Sequence, residues 1–208
     1  MARYTGPLCR LCRRQGEKLF LKGARCVTEK CSLVKREYPP GQHGQSRIKF
    51  SNYGLQMKEK QKVKRIYGVM EKQFRRYFSI ASKTKGVTGK ILLQLLERRV
   101  DNVIFRLGLA TSRAQARQIV RHNFVYVNSR RVNIPSYLVK KDDLVEVKAK
   151  EKALNSIKEN LKSTQDRSVP AWLELSKEKL QAKIIRLPER EEIQHPIQEQ
   201  LIVELYSK

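Results

Sequence analysis

The sequence predicts an α+β fold, with a mainly helical first part joined to a smaller unit of helices and antiparallel strands. Three observations carry that expectation. Residues 51–67, 71–82 and 91–107 repeat apolar side chains at helical spacing. Residues 112–147 run a capped helix into a β-rich hairpin and a further short strand. Four cysteines stand in two close pairs near the start, the pattern of an N-terminal metal module.

The 208 residues suit one large or two small domains, and 40% hydrophobic content supports modest cores. Lys and Arg number 45 against 20 Asp and Glu, a formal charge of +25 with a pI of about 10.2. Such a balance repels itself in a lone compact fold and points to a polyanion. Residues 1–100 hold 25 basic and 6 acidic side chains (+19), 101–150 hold 10 and 4 (+6), and 151–208 hold 10 of each. The polyanion is therefore expected on the first two-thirds, while the neutral tail is expected to meet protein. No stretch has the apolar length of a membrane span, and the start lacks a signal-peptide core. No long amphipathic helix pairs the charge with a wide apolar face. A cytosolic setting rich in nucleic acid is expected.

Cys9-x2-Cys12 and Cys26-x4-Cys31 are separated by thirteen residues. Two close pairs bring four thiolates to one tetrahedral point, and a loop of this size folds back between them. Arg10, Arg13, Arg14, Arg25 and Lys30 favour thiolates and offset the charge of a four-thiolate site. Disulfides and free thiols are the alternatives; a cytosolic chain rarely keeps disulfides. Structural Zn2+ is the first expectation, with an iron–sulfur cluster compatible with the same ligands.

Residues 38–45, YPPGQHGQ, form a stiffened linker in which two glycines permit close backbone approach. His43 has no carboxylate or nucleophile nearby in the sequence, so it is expected to pack or touch RNA rather than act as a base. Residues 51–67 predict a helix with a sparse apolar face of Leu55, Val63 and Ile66 and with Lys58, Lys60, Lys62, Lys64 and Arg65 around the rest. Most of its circumference is expected to face solvent or phosphate. Residues 71–82 predict a second helix with Phe74, Tyr77 and Phe78 toward a core. Residues 86–90, GVTGK, are too short for a phosphate-cradling loop and follow no strand. Residues 91–107 predict two apolar helices.

Ser112 and Gln115 read as a capping box at the start of the next helix. Arg113, Arg117 and Arg121, at i, i+4 and i+8, lie on one face, with Ala114, Ile119 and Val120 off that stripe toward a core. Asn123 is a fitting stop. A turn at residues 128–130 follows, and Arg130 and Arg131 at its bend make a second basic ledge. Guanidinium groups hold phosphate in a fork and stack on bases, and duplex RNA is read mostly by shape and backbone. A solvated face without partner is the plainer reading, but few acids neutralise these arginines.

Residues 97–150 resemble the RNA-binding domain named after ribosomal protein S4, a module that RNA-handling enzymes also carry. The resemblance extends further. The paired cysteines, YPPGQHGQ at 38–45, SNYGLQMKEKQKVKRIYGV at 51–69, LLQLLERRVDNVIFRLG at 92–108 and LIVELYSK at 201–208 make the chain similar to the bacterial-type ribosomal protein S4 family over essentially its full length. The resemblance implies a mainly helical first domain with the small antiparallel-sheet-and-helix S4 domain inserted in it, and a chain end that returns to the first domain. The division expected is 1–45 for the metal module and basic loop, 46–96 with 190–208 for the helical domain, and 97–189 for the S4 domain with its core at 97–150.

The family implies a structural constituent of the small ribosomal subunit that binds the 5′ domain of 16S ribosomal RNA early in assembly. It also implies a position where mRNA threads into the subunit, a contribution to decoding accuracy through ribosomal protein S5, and, for some members, repression of their own messenger. Not every bacterial member keeps four cysteines, so metal-assisted folding is implied for this chain specifically. The RNA contacts expected are Arg3, Arg13, Arg14, Lys22, Arg25, Lys35, Arg36, Arg47, Lys58, Lys62 and Arg65 in the first domain and Arg113, Arg117, Arg121, Arg130 and Arg131 in the second. An RNA-modifying enzyme would need a nucleophile–base set, a vacant metal position or a cofactor loop, and the sequence supplies none. A zinc-bearing DNA regulator would need base-reading Asn or Gln on a basic recognition helix.

In the tail, residues 153–161 predict a short helix, Trp172 a packing anchor, and residues 201–206 a hydrophobic end that docks on another element.

Overall fold

The computed structural model describes residues 3–46, 49–164, 167–176, 178–193 and 195–207. The chain divides into two compact units, Met1–Leu92 with His195–Lys208, and Leu93–Gln194.

The first unit opens with α1 (Leu8–Gln15), which Gly16 ends in the left-handed conformation at φ 74°. A 3-10 turn (Gly23–Cys26) and the single turn α2 (Ser32–Lys35) follow. Helix α3 (Asn52–Ile66) starts where the Ser51 hydroxyl accepts the Gly54 amide at 3.2 Å. Helix α4 (Glu71–Lys83) buries Phe74, Tyr77 and Ala81, while Phe78 is half-buried against the Tyr206 ring at 4.7 Å. Helix α5 (Thr88–Glu97) begins here, and the division between units falls within it.

The terminal helix returns to the first unit and lies on α3; it is numbered α9 (Glu199–Tyr206). Ile202 is fully buried, the Gln56 side chain donates to Glu204 at 3.1 Å, and the Gln198 amide donates to Glu59 at 2.9 Å. Gly89, at the start of α5, is small for a reason: a Cβ there would stand 2.7 Å from Glu199 Cγ.

This docking corrects the expectation for α3. Lys60 and Lys62 are buried rather than turned to solvent or phosphate, and Leu55 is 43% exposed. Acids answer the buried cations. Lys60 and Lys64 reach the Glu71 carboxylate at 3.1 and 2.9 Å, and Lys62 reaches Glu59 at 3.0 Å and Glu17 at 3.3 Å. A buried ammonium is tolerable only when paired in this way.

The second unit continues with α6 (Val100–Arg106) and α7 (Arg113–Arg121). Its sheet runs, among the described residues, β2 (Arg130–Arg131), β1 (Val125–Val127), β3 (Leu144–Val147), β5 (Gln181–Ile184) and β4 (Leu173–Ser176) across, all neighbours antiparallel. Asn128 and Ser129 turn β1 into β2 with φ of 49° and 64°, the twist a two-residue hairpin requires. The Asn128 side chain bridges to Asp143 and to the Leu144 amide, both at 2.8 Å, which ties the hairpin tip to β3. Helix α8 (Glu151–Ser163) spans the stretch between β3 and β4. Val100, Ile104, Leu107, Val120, Val125, Ile184 and Trp172 form one core. Trp172 is the packing anchor the sequence suggests. Strands β4 and β5 from the neutral tail were not part of the sequence expectation.

The start of α7 departs in one detail from a capping box. Ser112 accepts the Gln115 amide, but the Gln115 side chain accepts from the Thr111 amide at 2.8 Å rather than from the Ser112 amide.

Candidate nucleic-acid interface and cysteine cavity

The arginine face of α7 does not form one solvent ledge. Ala116, Arg117, Ile119 and Val120 are buried, Ala114 and Arg121 are exposed, and Arg113 is half-buried. Arg117 Nη1 meets the Asp101 carboxylate at 3.6 Å, and Arg113 Nε donates to Asn102 at 2.9 Å while its guanidinium covers the Phe105 ring at 4.3 Å. The reason lies in α6. Asp101 and Asn102 face α7 and draw in the two arginines nearest its start, so the helix turns its stripe inward.

A polar network stands behind this turn. Arg99 holds Asp101 with two bonds of 3.0 and 2.6 Å, and Arg106 holds Glu97 with two of 3.0 and 2.8 Å. Asn102 links the Glu97–Arg106 pair to α7, donating to Glu97 at 2.6 Å and accepting from Arg113. All of these residues but Arg113 are buried. The bidentate geometry makes the burial of charge bearable and fixes where Arg113 emerges. Arg167 packs on the same Phe105 ring at 4.5 Å and donates to the Ala110 and Thr111 carbonyls. Sequence reasoning missed these supports; the one signal was the mixed charge of Glu97, Arg98, Arg99 and Asp101 within an otherwise apolar stretch.

Among the solvent-facing cations of the second unit are Arg121 and, at the hairpin, Arg130 and Arg131, with Lys140, Lys141 and Lys148 exposed nearby in the chain. In the first unit Arg3, Arg14, Lys22, Arg25, Lys35 and Arg36 are exposed, while Arg13, Lys58 and Arg65 are half-buried. Lys62 is turned inward, as above. Arg47 lies outside the described residues.

Two arginines of α1, one half-buried and one exposed, shape the linker. Arg13 donates to the Tyr38 and Pro39 carbonyls at 3.0 and 3.4 Å and covers the Tyr38 ring at 5.0 Å. Arg14 donates to the Pro40 carbonyl at 2.9 Å. These bonds anchor the Pro-Pro segment on α1 and set the path of residues 38–45. Burial, followed by the charge of Arg14, pushes the Arg65 guanidinium below its ordinary value, and Tyr4 opposes this.

The four cysteines carry no disulfide, and Cys12, Cys26 and Cys31 are buried. All four line one cavity of about 10 Å³, with Leu8, Leu21, Lys22, Arg25, Ser32 and Leu33 completing its wall. Among the described residues, no set of three or more His, Cys, Asp or Glu side chains is gathered at metal-holding distance. The donor chemistry nevertheless fits a soft metal. The Leu19 amide donates to Cys12 Sγ, and the Leu21 and Lys22 amides donate to Cys26 Sγ, the latter at 3.3 Å. Amide donors of this kind favour thiolates. Burial raises both thiols, and the neighbouring sulfurs raise them further.

Among the described residues, no helix is long and apolar enough to cross a membrane.

Comparison with known proteins agrees with this architecture. The family model of the ribosomal protein S4/S9 N-terminal domain matches residues 3–97, and that of the S4 domain matches residues 98–145. The chain is 62% identical to the small ribosomal subunit protein uS4 of Thermodesulfovibrio yellowstonii and 61% identical to that of Dictyoglomus turgidum, over the full length of each. It is 58% identical to uS4A of Symbiobacterium thermophilum, again over both full lengths. A cation-rich first unit, an α6–α7 pair leading into a basic hairpin, and full-length identity near 60% together place the chain in the ribosomal protein S4 family, uS4.

Proposed function

We propose that the chain is a structural, non-catalytic constituent of the small ribosomal subunit in the cytoplasm, and that it binds 16S ribosomal RNA. The observation that carries the reading is the segregation of charge: +19 on residues 1–100 against zero on residues 151–208. Affinity then comes chiefly from phosphate neutralisation and counterion release, and selectivity from the shape of a folded RNA junction.

The contacts proposed are the exposed cations Arg3, Arg14, Lys22, Arg25, Lys35, Arg36, Arg121, Arg130 and Arg131, with Arg13, Lys58, Arg65 and Arg113 reaching phosphate from half-buried stems. Arg117 and Lys62 act on RNA only through the elements they hold. The target within 16S RNA is the 5′ domain, bound early in assembly. Neighbours are ribosomal protein S5, through which the chain bears on decoding accuracy, and mRNA where it threads into the subunit. Repression of its own messenger belongs to the same reading.

Cys9, Cys12, Cys26 and Cys31 hold Zn2+ in this reading. The metal would supply a cross-link between α1 and the loop before α2 in a segment that buries little apolar surface. Zinc analysis of protein purified without added metal should give one ion per chain, and a stably folded, metal-free chain would remove it. Iron in its place would assign a cluster.

The functional test is filter binding of the full chain to transcripts of the separate 16S domains over a range of salt. Tightest binding is expected for the 5′ domain, with affinity falling steeply as salt rises. Equal affinity for every domain, or indifference to salt, would defeat the reading.

A further inference from the structure

We infer that Phe20, beside His195, is a stacking platform for an unpaired base of the RNA held by the first unit. The inference rests on the RNA-binding reading above and adds base stacking to a surface otherwise described by its cations.

Phe20 has φ of 50°, in the left-handed region that a bulky aromatic residue rarely adopts. The kink itself has a local cause. It sits between Leu19, whose amide turns to Cys12 Sγ, and Leu21 and Lys22, whose amides turn to Cys26 Sγ. Glycine or asparagine would supply the same kink with less strain. The strain therefore accompanies something the ring does.

The ring is not used for burial. Leu19 is 1% exposed, whereas Phe20 is 41% exposed. Its centroid lies 6.5 Å from that of His195, with the planes tilted by 39°. Lys18 and Lys22, two residues to either side, are both exposed. An aromatic face flanked by ammonium groups suits one nucleotide, because every base offers a π-face and its flanking phosphates need cations. An apolar protein surface would bury those ammonium groups at a cost, so the flanks favour nucleic acid.

The test compares wild type, Phe20→Gly and Phe20→Trp, each as the full chain, in filter binding to a small-subunit ribosomal RNA transcript. Glycine removes the ring and relieves the strain, so the variant should melt no lower than wild type. It should bind about tenfold to a hundredfold more weakly. The slope of log affinity against log salt should stay as in wild type, because every cation that meets phosphate is still in place. Tryptophan should retain the affinity, and its emission should change when RNA is added. Binding of Phe20→Gly as tight as wild type would overturn the platform, and so would a loss accompanied by a lower melting temperature or a shallower salt slope. A loss confined to binding of small-subunit proteins would assign the ring to a protein contact and overturn it equally. A wild-type chain that ignores the transcript would instead fail the RNA-binding reading, taking the platform with it.

Discussion

Glu71 joins three helices of the first unit through one carboxylate, and replacing it with glutamine tests how that unit is held together. Lys60 and Lys64 of α3 reach it at 3.1 and 2.9 Å, and the Tyr206 hydroxyl of α9 donates to it at 2.8 Å. Burial by itself would raise its pKa, but the bonds from Lys64, Tyr206 and Lys60 outweigh this and hold it at about 2, against an ordinary 4.5. At about 1.36 kcal/mol per pH unit, that interval corresponds to at most about 3.4 kcal/mol. The Glu71 side chain is 35% exposed, so solvent screening reduces the contribution to about 1.5–2 kcal/mol. Because the folded value lies below the unfolded one, the stabilisation is complete above about pH 4.5 and is lost as pH falls toward 2. Glu71→Gln should therefore lower the melting temperature by about 3–8 °C at pH 7. The gap between variant and wild type should close as pH falls from 4.5 to 2. Thermal melts at stepped pH, with hydrogen exchange of α3 and α9 amides, measure both. Equal stability at pH 7, or a gap that survives at pH 2, would refute the account of Glu71 as a charge hub.

Ile202 is fully buried where α9 meets α3, and Ile202→Ala should cost about 2–5 kcal/mol in denaturant titration; a cost under about 0.5 would mean that α9 is not docked in solution. Arg106→Ala leaves the buried Glu97 carboxylate without its bidentate partner and should destabilise the second unit by about 3–5 kcal/mol, followed by the fluorescence of Trp172. Arg117→Ala should likewise act on stability, by leaving Asp101 without one of its two cations, with little change in the salt dependence of RNA binding. Arg130→Ala with Arg131→Ala should do the reverse, leaving the melting curve in place and lowering the magnitude of the salt slope by about 1 for each phosphate no longer neutralised. Matching effects from the two sets would erase the distinction between inward and outward arginines.

Those arginines also mark the limit of sequence reading. Spacing at i, i+4 and i+8 places Arg113, Arg117 and Arg121 on one face, and that much is covalent geometry. Which way the face turns depends on Asp101 and Asn102, which belong to another helix. The same holds on α3. A run of lysines reads as solvent-facing until Glu17, Glu59 and Glu71 are seen to receive them. Strands β4 and β5 are four residues each, too short for alternation to stand out, and are stabilised by pairing with each other and, through β5, with β3. The Ser112 cap, the Asn123 stop and the split of residues 91–107 into α5 and α6 were legible because neighbours in the chain produce them.

By itself the sequence determined the charge division, the two cysteine pairs, the helical runs and the family, since all of these are carried by residue type and short-range spacing. Tertiary structure alone decided which cations are spent inside the fold, how the tail completes the sheet, and that four thiols separated by a long loop border one cavity. The physical reason is common to all three. A charge or strand edge takes its final environment from partners far along the chain, and its own neighbours do not name them.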